Sequence, residues 1–145
     1  MKTTCTKRYS DIPFAHRQPS HKGHCRFVHG HNWGFEFEFE ADKKDECGFV
    51  VDFGGLKALK ALLDETLDHK LVLNADDPLF APLDAAQRLT GDGAVAVKDC
   101  SCEGLAEWAL RKANELVSVL TSGRTRVARC TCYEDSKNSA TAYAN

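Results

Sequence analysis

The chain has 145 residues, 43% apolar and 28% charged, with a formal net charge of −2. This is the make-up of one globular domain with a single core. No basic run exceeds two residues and no apolar run approaches the roughly 18–20 residues a membrane helix requires, so neither nucleic acid nor membrane is expected as a partner. Seven cysteines are an odd count, and the N-terminal stretch, "MKTTCTKRYSDIP", lacks the apolar centre of a signal peptide. Together these point to free thiols in a reducing cytoplasm.

In chain order, Thr3 to about His16 reads as a strand rich in Thr and Tyr, bent near Pro13, and a loop with Pro19, Ser20 and Gly23 follows. The segment "HNWGFEFEFE" sets Trp33, Phe35, Phe37 and Phe39 against Gly34, Glu36, Glu38 and Glu40, a period of two that predicts a strand with its glutamates on a solvated face. After "ADKKDECG", the run "FVVDF" reads as another short strand. Asp52 is placed to cap a helix carrying Leu56, Leu59, Leu63 and Leu67 at spacings of three and four. From Leu73 to Asp99, two prolines and "GDG" predict an irregular excursion that ends in a short strand, "AVAV". A second helix gathers Leu105, Ala109, Ala113, Leu116, Val117 and Leu120 on one face. Ser101 stands at its cap, and Glu103 in its first turn, where the helix dipole favours an acid. The last predicted strand, "TRVARCTCYE", puts Arg126, Ala128, Cys130, Cys132 and Glu134 on one face. The order predicts a single α+β domain over residues 1–145, an antiparallel sheet with two helices on one face. Such a sheet leaves strand edges and a second face uncovered, which favours an edge-covering homo-oligomer.

The chemistry gathers where the alternating strand begins. His29 and His31 are two apart, so on a strand they project to one face, the face that continues into Trp33 and Phe35. Two fixed imidazoles are half of a zinc site, and His16, His21 or His24 could supply a third. His16 is the better organised, at a strand end rather than in a Ser/Lys/Gly-rich loop. Three histidines leave a fourth position open, as catalytic zinc sites do. Against this, His-x-His alone is equally two polar residues at a strand start. Cys25, four residues before His29, is a candidate nucleophile or base beside a dication, a fourth zinc ligand, or a small buried hydrophobe. His69 follows the first helix, where a cation can satisfy terminal carbonyls. Asp68 is locally unfavourable there and suggests a carboxylate that orients the imidazole. Glu134 needs a partner if its strand face is buried. The pairs Cys100/Cys102 and Cys130/Cys132 lack the usual metal spacing and are assigned to packing.

"FAHR" (Phe14–Arg17), "CRFVHGHNW" (Cys25–Trp33), "VVDFGGLK", "LDHKLVLN" (Leu67–Asn74) and "YEDSKNSATAY" (Tyr133–Tyr143), in this order, resemble the 6-pyruvoyl-tetrahydropterin synthase superfamily. The short gap between Cys25 and His29 is similar to the bacterial 6-carboxytetrahydropterin synthases of the queuosine pathway. The resemblance implies the tunnelling fold (T-fold), whose subunits join their sheets edge to edge into an oligomeric barrel. That assembly is a homohexamer with active sites at subunit interfaces. It also implies zinc on His16, His29 and His31, with catalysis by Cys25, Asp68, His69 and Glu134. Glu134 would also bind the pterin, with Ser101 and Glu103 as further substrate contacts. The implied activity is a lyase that converts 7,8-dihydroneopterin triphosphate to 6-carboxytetrahydropterin with loss of acetaldehyde and triphosphate. The alternatives are the pyruvoyl-forming reaction, or a zinc- or pterin-binding module without catalysis. "Cys-Ser-Cys-Glu" at 100–103 departs from the family's Pro-Thr-x-Glu, and the 75–99 segment is longer than in compact members.

Overall fold

The computed structural model describes residues 1–145. In chain order the elements are β1 (Thr3–His16), β2 (His29–Ala41), α1 (Lys57–Leu67), β3 (Val72–Asn74), α2 (Phe80–Arg88), β4 (Val95–Val97), α3 (Cys102–Leu120), β5 (Arg126–Tyr133) and β6 (Ser139–Tyr143). An antiparallel sheet in the order β1-β2-β5-β6 carries the domain, and β3 and β4 form a small parallel pair beside it. The α+β architecture expected from the sequence is present.

The inward face of β2 is the core. Trp33, Phe35, Phe37 and Phe39 are fully buried against Leu59, Leu63 and Leu67 of α1 and Leu105, Ala109, Ala113 and Val117 of α3. Each of the buried Phe, Leu and Val side chains contributes roughly 1.5–3 kcal/mol by leaving water, so this strand and two helices hold the domain together. Asp52 accepts a hydrogen bond from the Gly54 amide and opens a tight turn, Phe53–Leu56, that leads into α1; Ser101 accepts from the Gly104 amide at the start of α3.

Five expectations are corrected. First, "FVVDF" is not a strand: it is a loop whose Val50 and Val51 are buried in the core, while Phe49 and Phe53 remain exposed. Second, the excursion holds a third helix, α2, between β3 and β4, despite Pro82 in its first turn, where a missing N–H costs nothing. Third, the chain ends in a further strand, β6, hydrogen-bonded to β5.

Fourth, β1 bends at Asp11 rather than at Pro13. The register passes from Tyr9 opposite Phe35 to Ile12 opposite Trp33, one extra residue on β1, and Asp11 takes φ 61°. This bulge inverts the parity of the strand. Tyr9 faces the core before it, and Ile12, Phe14 and His16 face the core after it. Without the inserted residue, His16 would point away from His29 and His31.

Fifth, a second bulge, between Glu38 and Phe39 of β2, does the same to β5: Val127, Cys130 and Cys132 face inward, and Arg126 does not. Arg126 and Arg129 instead face the glutamates, which therefore form a paired ladder rather than a freely solvated row. Glu40, 6% exposed, meets both Arg126 and Lys2. Arg129 reaches Glu38 at 3.3 Å and Glu36 at 3.5 Å.

Candidate active site

The two long strands deliver the histidines. His16 lies directly opposite His29, and Phe14 opposite His31, so three imidazoles converge at the open end of the sheet. Their candidate ligand atoms all lie within 4.8 Å of one another, and Cys25 is not part of this cluster. Trp33 holds the rings from behind. It stacks on Phe14 at 4.4 Å and donates its indole N–H to the Phe14 carbonyl (3.0 Å). Its edge stands against His16 at 4.8 Å and His31 at 5.2 Å.

The hydrogen bonds set the tautomers. His16 donates from Nδ1 to the Cys100 carbonyl at 2.7 Å, and His29 from Nδ1 to the Phe27 carbonyl at 2.6 Å. A carbonyl only accepts, so both Nδ1 atoms carry a proton, and Nε2 is the atom that each ring can offer to a ligand. Burial pushes the His16 pKa down to about 4, with help from His29 and His31 and against the Cys100 hydrogen bond, so the ring is neutral. The Nε2 atoms of His16 and His31 are buried without a hydrogen-bond partner. Orphaned buried nitrogens are costly and rare in a finished protein, and neutral imidazoles with carbonyl-bound Nδ1 atoms are the donor set a divalent metal takes. The residues fit a metal ion.

A cleft of ≈ 480 Å³ opens beside His16, which lines it with Cys25, Ser101, Glu103 and Glu134 among others. Cys25 stands on a short turn, His24–Arg26, and is partly exposed. Glu134 follows β5 directly and neither frays into water nor lies on a dry face. Its Oε1 approaches His31 Nε2 at 3.4 Å and His16 Nε2 at 3.7 Å, too long for hydrogen bonds. The β5–β6 hairpin, ordered by Asp135 accepting from the Lys137 and Asn138 amides, adds Lys137 and Asn138 to the cleft. Sequence reasoning passed over these two, although Asp-Ser-Lys-Asn is a turn signal directly after Glu134. Cys102 also lines the cleft, whereas Cys100, Cys130 and Cys132 are buried packing thiols as expected, and burial pushes the last two up in pKa.

Asp68 and His69 are not among the residues lining this cleft. His69 Nδ1 bonds Asp68 Oδ1 at 2.7 Å, and the ring is 82% exposed. The bland role, capping α1 carbonyls, is not what the ring does. Moreover, His69 takes φ 59°, a conformation in which a non-glycine residue costs roughly 1 kcal/mol and glycine is the ordinary choice. The turn is pinned by the His69 amide to the Pro13 carbonyl (2.7 Å) and by the Ala15 amide to the Lys70 carbonyl (3.0 Å). His69 thus projects to solvent from a turn that is hydrogen-bonded to the outer edge of β1.

Residues 4–145 match the family model for 6-pyruvoyl tetrahydropterin synthase. The chain belongs to this family. Among curated proteins it is similar to a 6-carboxy-5,6,7,8-tetrahydropterin synthase of Rickettsia typhi, 43% identical over 74 residues, 50% of this chain and 53% of that protein. A protein of the same name from Aquifex aeolicus is 29% identical over 133 residues, 88% of this chain and 79% of that protein. The chain spans about half the length of the Rickettsia relatives it matches. In fold it superposes on an uncharacterised protein of Wolinella succinogenes (TM-score 0.84, 22% identity, 100% of this chain and 99% of that one). It also superposes on the 6-pyruvoyl tetrahydropterin synthase of Plasmodium vivax (TM-score 0.72, 20% identity, 100% and 99%). No helix is long and apolar enough to cross a membrane.

Proposed function

We propose that residues 1–145 form one catalytic domain, a zinc-dependent 6-carboxytetrahydropterin synthase. It would convert 7,8-dihydroneopterin triphosphate to 6-carboxytetrahydropterin with release of triphosphate and acetaldehyde, as part of 7-deazaguanine (queuosine) biosynthesis in the cytoplasm. The observation that carries this reading is the cluster of three imidazoles, two with buried Nε2 atoms that lack a hydrogen-bond partner, beside a cleft that His16 lines together with Cys25 and Glu134. The family membership and the names of the curated relatives supply the substrate class.

In this reading His16, His29 and His31 hold zinc through their free nitrogens. Zinc bound there would supply Lewis acidity toward the side-chain hydroxyls and carbonyl of the substrate. The rest is the work of the chain's own side chains. The Glu134 carboxylate accepts the two adjacent N–H groups of the pterin, and Ser101 and Glu103 line the same cleft as further contacts. Cys25 acts as the base that takes a proton from the substrate side chain. A group is then needed to return it on the other side. His69, held by Asp68, has the chemistry for that step but sits outside the cleft of its own chain. We therefore place it in the cleft of a neighbouring subunit of a homohexamer, which accounts for an exposed, conformationally costly Asp–His pair at a strand edge.

Product analysis by mass spectrometry after incubation with zinc and 7,8-dihydroneopterin triphosphate tests the proposal. The expected products are 6-carboxytetrahydropterin and acetaldehyde. A 6-pyruvoyl product would establish elimination without carbon–carbon cleavage, and binding without turnover would reduce the protein to a pterin-binding module.

A further inference from the structure

Arg17 and Asp77 are sixty residues apart in sequence and form a buried fork-to-fork ion pair. Arg17 Nε donates to Asp77 Oδ2 and Nη2 to Asp77 Oδ1, both at 2.7 Å, and the side chains are 12% and 0% exposed. A buried pair of this kind is weak evidence for stability, because desolvating two ions offsets most of their attraction. Its geometry is more informative. The remaining guanidinium nitrogen, Nη1, donates to the Arg26 carbonyl at 3.0 Å, in the residue after Cys25.

That contact matters because of what else holds the turn. His24–Arg26 buries no residue, and the flanking Phe27 and Val28 are exposed, so no apolar anchor fixes it. Three hydrogen bonds tie it to the body of the domain. The Gln18 amide reaches the Cys25 carbonyl (2.7 Å), Arg17 the Arg26 carbonyl (3.0 Å), and His29 Nδ1 the Phe27 carbonyl (2.6 Å). Of these, only the Arg17 contact comes from a long side chain, and that side chain is immobilised by Asp77.

Asp77 is itself locked in place. It accepts from the Leu79 amide (2.8 Å), and its own amide bonds the Asn74 carbonyl (3.0 Å). The Asn74 side chain accepts from the Cys100 amide (2.7 Å), and the Cys100 carbonyl in turn receives His16 Nδ1 (2.7 Å). One hydrogen-bonded chain therefore runs from a metal-site imidazole through the excursion to the turn that carries the cysteine.

We infer that Arg17 and Asp77 are a positioning pair that fixes the Cys25 turn relative to the three histidines. The inference rests on the proposed role of Cys25. It also explains the segment after β3, which presents a rigid carboxylate behind the cleft. Displacing a proton carrier by about 1 Å costs on the order of 10²-fold in turnover, so a small loosening of the turn is enough to matter.

The test uses Asp77→Asn, which keeps shape and removes charge, and Arg17→Lys, which cannot make the fork and the Arg26 contact together. Zinc content, kcat and KM, and the iodoacetamide alkylation rate of Cys25, read by peptide mass spectrometry, are measured on both. The expected result is undiminished zinc, kcat lower by roughly 10- to 100-fold with KM little changed, and a Cys25 alkylation rate altered in both variants. Folded variants with wild-type kcat and alkylation would overturn the inference. So would loss of zinc in step with loss of activity, which would place the pair's effect on His16. Cys25→Ala is run alongside: full turnover in that variant would remove the proposed role of Cys25, while the alkylation rates would still report whether the pair holds the turn.

Discussion

β2 carries two polar clusters that face opposite sides of one sheet, and they are built on opposite principles. On the inward side, at its start, His29 and His31 join His16, and two of the three imidazoles leave a buried nitrogen with no partner. On the outward side, further along, Glu36, Glu38 and Glu40 meet Arg126, Arg129 and Lys2, and each carboxylate has a cation. A fully paired cluster is explained by the fold alone. A cluster in which the His16 and His31 Nε2 atoms are buried without a hydrogen-bond partner is not explained by the fold alone, and its three imidazoles fit a metal ion. The deficit of partners, more than the residue types, separates the site from the surface.

The sharpest way to break this contrast is to remove a member of each cluster. His29→Ala should lose bound zinc, from about one per chain to near none, and all measurable turnover, while the sheet still folds. Elemental analysis showing undiminished zinc would assign the metal elsewhere. Next in size are the two halves of the acid–base machinery. Cys25→Ala and His69→Ala should each lower turnover by about 10²–10⁴-fold. Because Cys25 and His69 lie apart in one chain, the two inactive proteins should regain partial activity when mixed and reassembled. No recovery in a verified mixed oligomer would contradict the shared site. Cys25 and Glu134 line the same cleft and should not complement each other.

A smaller effect concerns acid. Burial lowers the His16 pKa from 6.5 to about 4, so between these values the unfolded chain takes up a proton that the folded protein refuses. Its contribution to the stability of metal-free protein is therefore whole above about 6.5 and is lost progressively as pH falls toward about 4. Urea midpoints of chelator-treated protein should drop across this window, and less steeply in His16→Gln; parallel slopes would contradict the assignment. The smallest effect belongs to the paired cluster. Glu38→Gln should change stability by less than ~1 kcal/mol and leave zinc content unaltered, since Glu38 and Arg129 are each about 26% exposed and screened by water.

Much of this was legible in the residues. The alternation from Trp33 to Phe39 gave the central strand, and leucine spacing gave the two core helices, with Ser101 at the cap of α3 and Asp52 capping the tight turn before α1 rather than α1 itself. The shared parity of His29 and His31 put them on one face, and an ordered strand end favoured His16. What the sequence did not disclose was how His16 comes to that face. Counted by twos from Tyr9, it falls on the wrong side, and only the bulge at Asp11 corrects the parity. A bulge is one residue at an unusual φ, which local composition barely marks. The excursion was opaque for a related reason: α2 buries no residue, so it has no apolar stripe to reveal it. The Arg17–Asp77 pair depends on a tertiary contact that no local pattern encodes.

X-ray absorption at the zinc edge of the purified protein tests the central claim most directly. Three imidazoles with an open fourth position require a shell of nitrogen and oxygen at about 2.0–2.1 Å and no sulfur. A sulfur scatterer at about 2.3 Å would make Cys25 a ligand, close the site and contradict the account.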